Sequence, residues 1–122
     1  MKYSIVLSED GKYILLKVVG TISRLQVIEC FVEMHLLGAE KGIDRYLIDF
    51  TECRNTDTVL RNYTLAYEDM KDSRINPQAR SALLVSSFDH SHDFLETLLT
   101  NSGVDIILFH DLEPALRHLV KD

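Results

Sequence analysis

The residues best suited to chemistry stand together at Asp89-His90-Ser91-His92-Asp93, two imidazoles and two carboxylates in five positions. Imidazole and carboxylate are zinc ligands, and Ser86, Ser87 and Ser91 beside His90 supply the residue types of a nucleophile and its base. The spacing argues against both uses. His90 and His92 are two positions apart, whereas metal-binding histidines on one helix face stand four apart. No Gly-x-Ser-x-Gly elbow surrounds a serine, and Cys53 has no evident base. Asp93 followed by Glu96 is a helix-start signature, and a carboxylate there complements the helix dipole. The segment therefore reads as a polar loop and cap, with His90 and His92 as minority metal ligands and no catalytic residue assigned.

Other reactive groups narrow the function further. Cys30 and Cys53 belong to no Cys-x-x-Cys pair, so zinc-ribbon and thioredoxin-like chemistry lack their ligands. None of the five glycines forms a dinucleotide fingerprint or a P-loop, and no cofactor is expected. The net charge of -6 disfavours phosphate backbones and anionic lipid headgroups, so no nucleic-acid partner is expected. Only three consecutive apolar residues precede the first acidic ones, which is no signal peptide. No uncharged run approaches the roughly 18 residues of a membrane span. These features predict a cytoplasmic protein that is not integral to a membrane, folded as one domain over residues 1–122.

Elements that would position these residues follow from periodicity. Tyr3–Leu7 and Tyr13–Val19 are β-rich runs around Asp10-Gly11, which suits a hairpin turn. Gly20-Thr21 ends the second strand, and Ser23-x-x-Gln26 is a capping box for a helix through Val27, Ile28, Phe31, Met34 and Leu37, stopped at Gly42. Tyr46–Phe50 predicts a short strand and Thr51–Thr58 a polar loop. Val59, Leu60, Tyr63, Tyr67 and Met70 form one helical stripe, expected to pack on the sheet. Pro77 keeps Lys71–Gln78 out of that helix. Ala79–Ser86 and Val104–Phe109 are apolar strands, each followed by a helix, the first closed by Asn101-Ser102-Gly103 and the last started by His110-Asp111. His35 and His118 fall on helices, where a boundary position explains them.

The order is β-β-α-β-α-β-α-β-α, an α/β fold with a mainly parallel sheet and an antiparallel N-terminal strand. In such a sheet the loops Gly20–Ser23, Thr51–Thr58, Ser87–Asp93 and His110–Asp111 leave by one edge, where open α/β folds bind ligands.

This layout, with Tyr-Leu-Ile-Asp-Phe-Thr running into Asn-Thr-Asp-Thr and a helix, resembles the STAS, or SpoIIAA-like, domain family. The closing segment from Phe94 through Ile106-Ile-Leu-Phe-His-Asp-Leu-Glu-Pro-Ala-Leu is similar to small bacterial STAS/CRAL-TRIO-like proteins. The resemblance spans nearly the whole chain. It implies a non-enzymatic binding or regulatory module acting on a protein partner, a second copy of the chain included. In the signalling branch the corresponding helix begins with a phosphorylatable serine in an Asp-Ser-Ser-Gly setting. Here that place reads Asn55-Thr56-Asp57-Thr58-Val59, so Thr56 and Thr58 are the candidate acceptors or partner contacts beside Asp57. The plainer use of Thr56 or Asp57 is an N-cap. Relatives with a lipid-transfer character imply the alternative function, a carrier or sensor of a small apolar ligand. There the second helix is the gate, and Val59, Leu60, Tyr63, Tyr67 and Met70 form the ligand or partner surface.

Overall fold

The computed structural model describes residues 1–121. Its five strands are β1 (Lys2–Leu7), β2 (Ile14–Ile22), β3 (Arg45–Asn55), β4 (Arg80–Leu84) and β5 (Asp105–Phe109). Its four helices are α1 (Arg24–Lys41), α2 (Val59–Tyr67), α3 (Asp93–Asn101) and α4 (Leu112–Val120), with a 3-10 turn at Asp69–Lys71. The sheet order is β1-β2-β3-β4-β5; β1 lies antiparallel to β2 and the remaining pairs are parallel. Each new strand is added on the same side, so right-handed crossovers keep α1, α2 and α3 on one face. The alternating side chains show that division. Ile14, Leu16, Ile48, Leu83 and Ile106 pack with the three helices, whereas Leu47, Ala82 and Leu84 meet Ala115 and Leu119 of α4 on the other face. No helix among the described residues is long and apolar enough to cross a membrane.

Local chemistry sets most boundaries. Gly11, at φ 71°, takes the left-handed position of the β1–β2 turn. The Ser23 N–H donates to Gln26 Oε1 at 3.0 Å, opening α1, and Gly42 closes it in the left-handed conformation. Gly38 is required for a different reason: a Cβ there would overlap the Tyr46 hydroxyl and come within 2.6 Å of the Ile43 carbonyl. The carbonyls ending α4 accept hydrogen bonds from strand arginines, Arg45 Nε to Leu119 O at 3.0 Å and Arg80 Nη1 to His118 O at 3.3 Å.

Several expectations are corrected. β2 does not stop at Gly20-Thr21 but runs to Ile22, and residues 51–55 of the expected Thr51–Thr58 loop are strand. The pairing steps from Lys17↔Asp49 to Val19↔Glu52, so β3 carries one extra residue at Phe50–Thr51. That bulge is held by Asp49 Oδ1, which accepts from the Thr51 N–H at 3.0 Å and the Thr51 hydroxyl at 2.7 Å. Beyond it the inward positions shift, and Cys53 rather than Glu52 is buried.

The packing stripe of α2 is also different. The helix ends at Tyr67, and its buried residues are Asn62, Leu65 and Ala66, while Val59, Leu60 and Tyr63 lie exposed. Both faces carry apolar residues, so periodicity alone favours neither. The tertiary partner decides: Asn62 is accommodated inside because its Oδ1 accepts from Asn55 Nδ2 at 3.0 Å. His35 and His118 are buried, not boundary residues.

Candidate functional site

The strand exits converge as the topology requires. The Thr56 N–H donates to the Ile22 carbonyl at 3.2 Å, and the Asn55 N–H donates to Ser91 Oγ at 3.0 Å. The Asp57 carboxylate, almost fully buried, accepts from the Arg24 and Thr58 amides and lies 3.6 Å from Arg61 Nη1. It thereby joins the starts of α1 and α2. Thr58, rather than Thr56 or Asp57, is the N-cap of α2, its hydroxyl accepting from the Arg61 N–H at 3.2 Å. Thr56 and Thr58 are both exposed.

The Asp-His cluster does not assemble. Asp93 is the first residue of α3 and not its cap, which is His92. The exposed His90 reaches Asp93 Oδ2 through Nδ1 at 2.9 Å. His92 turns inward, 1% exposed, and its Nε2 lies 2.8 Å from the Cys53 carbonyl, so that nitrogen carries the proton it donates. The His92 ring packs on Phe50 at 5.0 Å between centroids, and Nδ1 has no partner among the described residues. Asp89 accepts from the Ser91 N–H at 2.8 Å and lies 3.5 Å from His92 Nε2. Burial works to raise this carboxyl, but the Ser91 bonds and the nearby His92 and Arg54 hold it below the usual carboxylate range. Among the described residues, no three His, Cys, Asp or Glu side chains come together as a metal site. Burial also pushes the Cys30 thiol up to about 11 and Cys53 to about 12, which leaves both protonated and poorly nucleophilic.

A cavity of about 470 Å³ opens instead at the opposite edge, where β4 and β5 begin. Phe31, Met34 and His35 of α1 form one wall, and Ser81 and Ile106 of the sheet form another. Val104 and the chain leaving α3 at Ser102-Gly103 complete the base, while Ala66 and the segment from Met70 to Ala79 form the cover. A volume of this size falls in the range of roughly 300–1,000 Å³ usual for small-molecule sites.

Two polar ties hold the cover down. The Arg24 guanidinium grips the Asp69 carboxylate, Nε to Oδ2 at 2.6 Å and Nη2 to Oδ1 at 3.0 Å. The Asn76 N–H donates to His35 Nδ1 at 3.0 Å. His35 is 5% exposed, with its ring stacked on Tyr46 at 4.5 Å, and burial pushes its imidazole down to about 4. It is therefore neutral at physiological pH, with the proton on Nε2.

Of the expected ligand surface, only Met70 lines this cavity. Tyr63, exposed, stacks on Tyr67 at 4.6 Å, Tyr67 itself is half-buried against the core, and Val59 and Leu60 face outward. Leu60 is 73% exposed and Phe88, at the same strand-exit edge, 92%. Within this cover, Lys71–Gln78 reads in sequence only as a helix break. The signal that marks it is a histidine on the buried stripe of α1, since an imidazole among Phe31, Met34 and Gly38 needs a polar partner from elsewhere in the chain.

No protein-family model matches the sequence, and no curated protein matches it. Among solved structures, an uncharacterised protein of the DUF3478 family with a SpoIIAA-like fold, from Shewanella loihica PV-4, is similar. The two share 20% sequence identity with a TM-score of 0.55, over 97% of this chain and 92% of that chain. With its antiparallel first strand, four-stranded parallel run and four helices arranged as described, the chain has the SpoIIAA-like fold.

Proposed function

We propose that this protein is a non-enzymatic binding module that encloses a small, largely apolar ligand beneath the 68–79 segment. The observation that carries this reading is the cavity itself, walled by Phe31, Met34, Met70 and Ile106 and closed by a cover that the Arg24–Asp69 and Asn76–His35 contacts tie down. In the closed state Ile75 and Ala79 of the cover, like Leu65 and Ala66 of α2, are part of the core. The protonated, buried thiols support binding over nucleophilic chemistry. Two free cysteines also suit a reducing, cytoplasmic setting.

Native mass spectrometry of gently purified protein tests this directly. The expected result is added mass that disappears in the cavity-filling variant Ala79→Leu. An unliganded mass, together with no thermal shift from a panel of apolar compounds, would contradict it.

A second reading rests on a separate observation, the outward face of α2. Val59, Leu60 and Tyr63 lie exposed on α2 with Arg61 between them, and Phe88 is exposed in the loop before α3, which suits a protein partner or a second copy of the chain. Thr58 sits where a phosphate would meet the start of α2 and modulate that contact. Capture of a partner by wild type that is lost with Leu60→Ser would support this reading; equal capture would count against it.

A further inference from the structure

Resting on the cavity reading, the geometry points to the chemical class of the ligand: a compact apolar molecule bearing one neutral oxygen acceptor, of which a carbonyl is the best fit, recognised by His35 Nε2–H and the Ser81 hydroxyl. The inference comes from accounting for every buried polar side chain in the cavity wall. His35 is 5% exposed and Ser81 6% exposed, and both line the cavity. His35 Nδ1 is occupied by the Asn76 N–H, which fixes the neutral tautomer and leaves Nε2–H as the ring's donor. Among the described residues neither that nitrogen nor the Ser81 hydroxyl makes a hydrogen bond within the protein, and neither is sealed off as His92 Nδ1 and His118 Nε2 are, so both are reachable from the cavity.

Of the other polar neighbours, Lys71 and Ser73 are exposed at the rim, and several of the rest are already committed. The Ser102 hydroxyl donates to the Leu99 carbonyl at 2.9 Å, and Asn76 Oδ1 accepts from the Gln78 N–H at 2.9 Å. Asp72 and Arg74 pair with each other at the surface at 2.6 Å. Two donors in an otherwise apolar chamber call for an acceptor with two lone pairs, which a carbonyl oxygen supplies. A carboxylate fits this pair of donors less well, because it would exchange its hydration for two neutral dipoles, the lining's Lys71 being exposed at the rim rather than buried opposite them. An occupant that seals these donors from water without pairing them incurs a cost, so an apolar molecule lacking the oxygen is penalised. Ser81 also accounts for an anomaly in β4, where a hydroxyl faces the side that Leu83 and Val85 fill with apolar groups.

The test uses a matched pair of equal shape, α-tetralone and tetralin, titrated into wild type, Ser81→Ala and His35→Phe. Net hydrogen-bond contributions predict that the preference for tetralone over tetralin falls roughly three- to ten-fold in each variant relative to wild type. A second measurement needs no variant. In wild type, ¹⁵N-edited NMR of the imidazoles should show the His35 Nε2–H proton moving downfield with α-tetralone and staying in place with tetralin. If both probes bind wild type but the preference is unchanged in the variants, or the Nε2–H resonance ignores the ketone, the carbonyl assignment is wrong while the cavity reading stands. If neither probe binds wild type, the cavity reading falls and the assignment with it. Should His35→Phe fail to fold, Ser81→Ala and the wild-type resonance decide.

Discussion

Acidification should weaken the fold through His35 well before the carboxylates respond. In the unfolded chain its imidazole takes up a proton around 6.5, whereas in the folded protein burial delays this to about 4. Between those values the unfolded state holds more protons, so stability rises with pH across the window. The contribution is complete above pH 6.5 and lost progressively as pH falls toward 4. A tenfold difference in proton affinity is worth about 1.4 kcal/mol, so the two values together amount to about 3 kcal/mol. That is a large part of the roughly 5–15 kcal/mol by which domains are stable. His118, pushed down by its own burial and by Lys121 nearby, adds to the same trend.

The carboxylates act elsewhere on the scale. Asp72, drawn down to about 2 by its Arg74 bonds, and Asp89, also lowered, stabilise above the ordinary carboxylate value of 3.8 and are lost only below it. Urea denaturation followed by circular dichroism at pH 7.5, 6.5, 5.5 and 4.5 therefore isolates the imidazoles. His35→Gln, which keeps an acceptor for the Asn76 N–H but cannot titrate, should flatten most of the fall. If wild type and His35→Gln lose stability in parallel between pH 6.5 and 4.5, His35 is not buried as a neutral ring and the cavity wall is wrongly drawn.

Two further expectations follow from close contacts. Gly38→Ala forces a methyl against the Tyr46 hydroxyl and the Ile43 carbonyl and should cost about 1–3 kcal/mol by thermal denaturation; an unchanged melting temperature would show that α1 does not seat on Tyr46. Thr58→Ala removes the α2 cap and should cost about 1 kcal/mol in urea, whereas Thr56→Ala should change little; the reverse order would place the helix start elsewhere.

The parts of this fold that were legible in the sequence are those decided locally. Asp10-Gly11 turns the first hairpin, Gln26 reaches back to Ser23, and Gly42 stops α1, each within a few residues of its effect. Where a distant partner decides, the sequence is ambiguous. The length of β3 depends on a bulge against β2, and the buried face of α2 depends on Asn55 meeting Asn62. His90 and His92 look equivalent in the chain, yet the carbonyl of Cys53, on another strand, draws only one of them inside. The cavity was hidden for the same reason. Its walls come from α1, the starts of β4 and β5 and the 68–79 cover, and no contiguous motif contains them.

The central claim is that the ligand site lies beneath the 68–79 cover and not at the strand-exit edge. Amide chemical-shift mapping during a titration with α-tetralone tests it most directly. The account predicts that the perturbed amides cluster at Phe31, His35, Ile75, Ala79 and Ile106, with Leu60 and Phe88 silent. Perturbations gathered at Val59, Leu60 and Phe88, with the cavity amides unmoved, would contradict it.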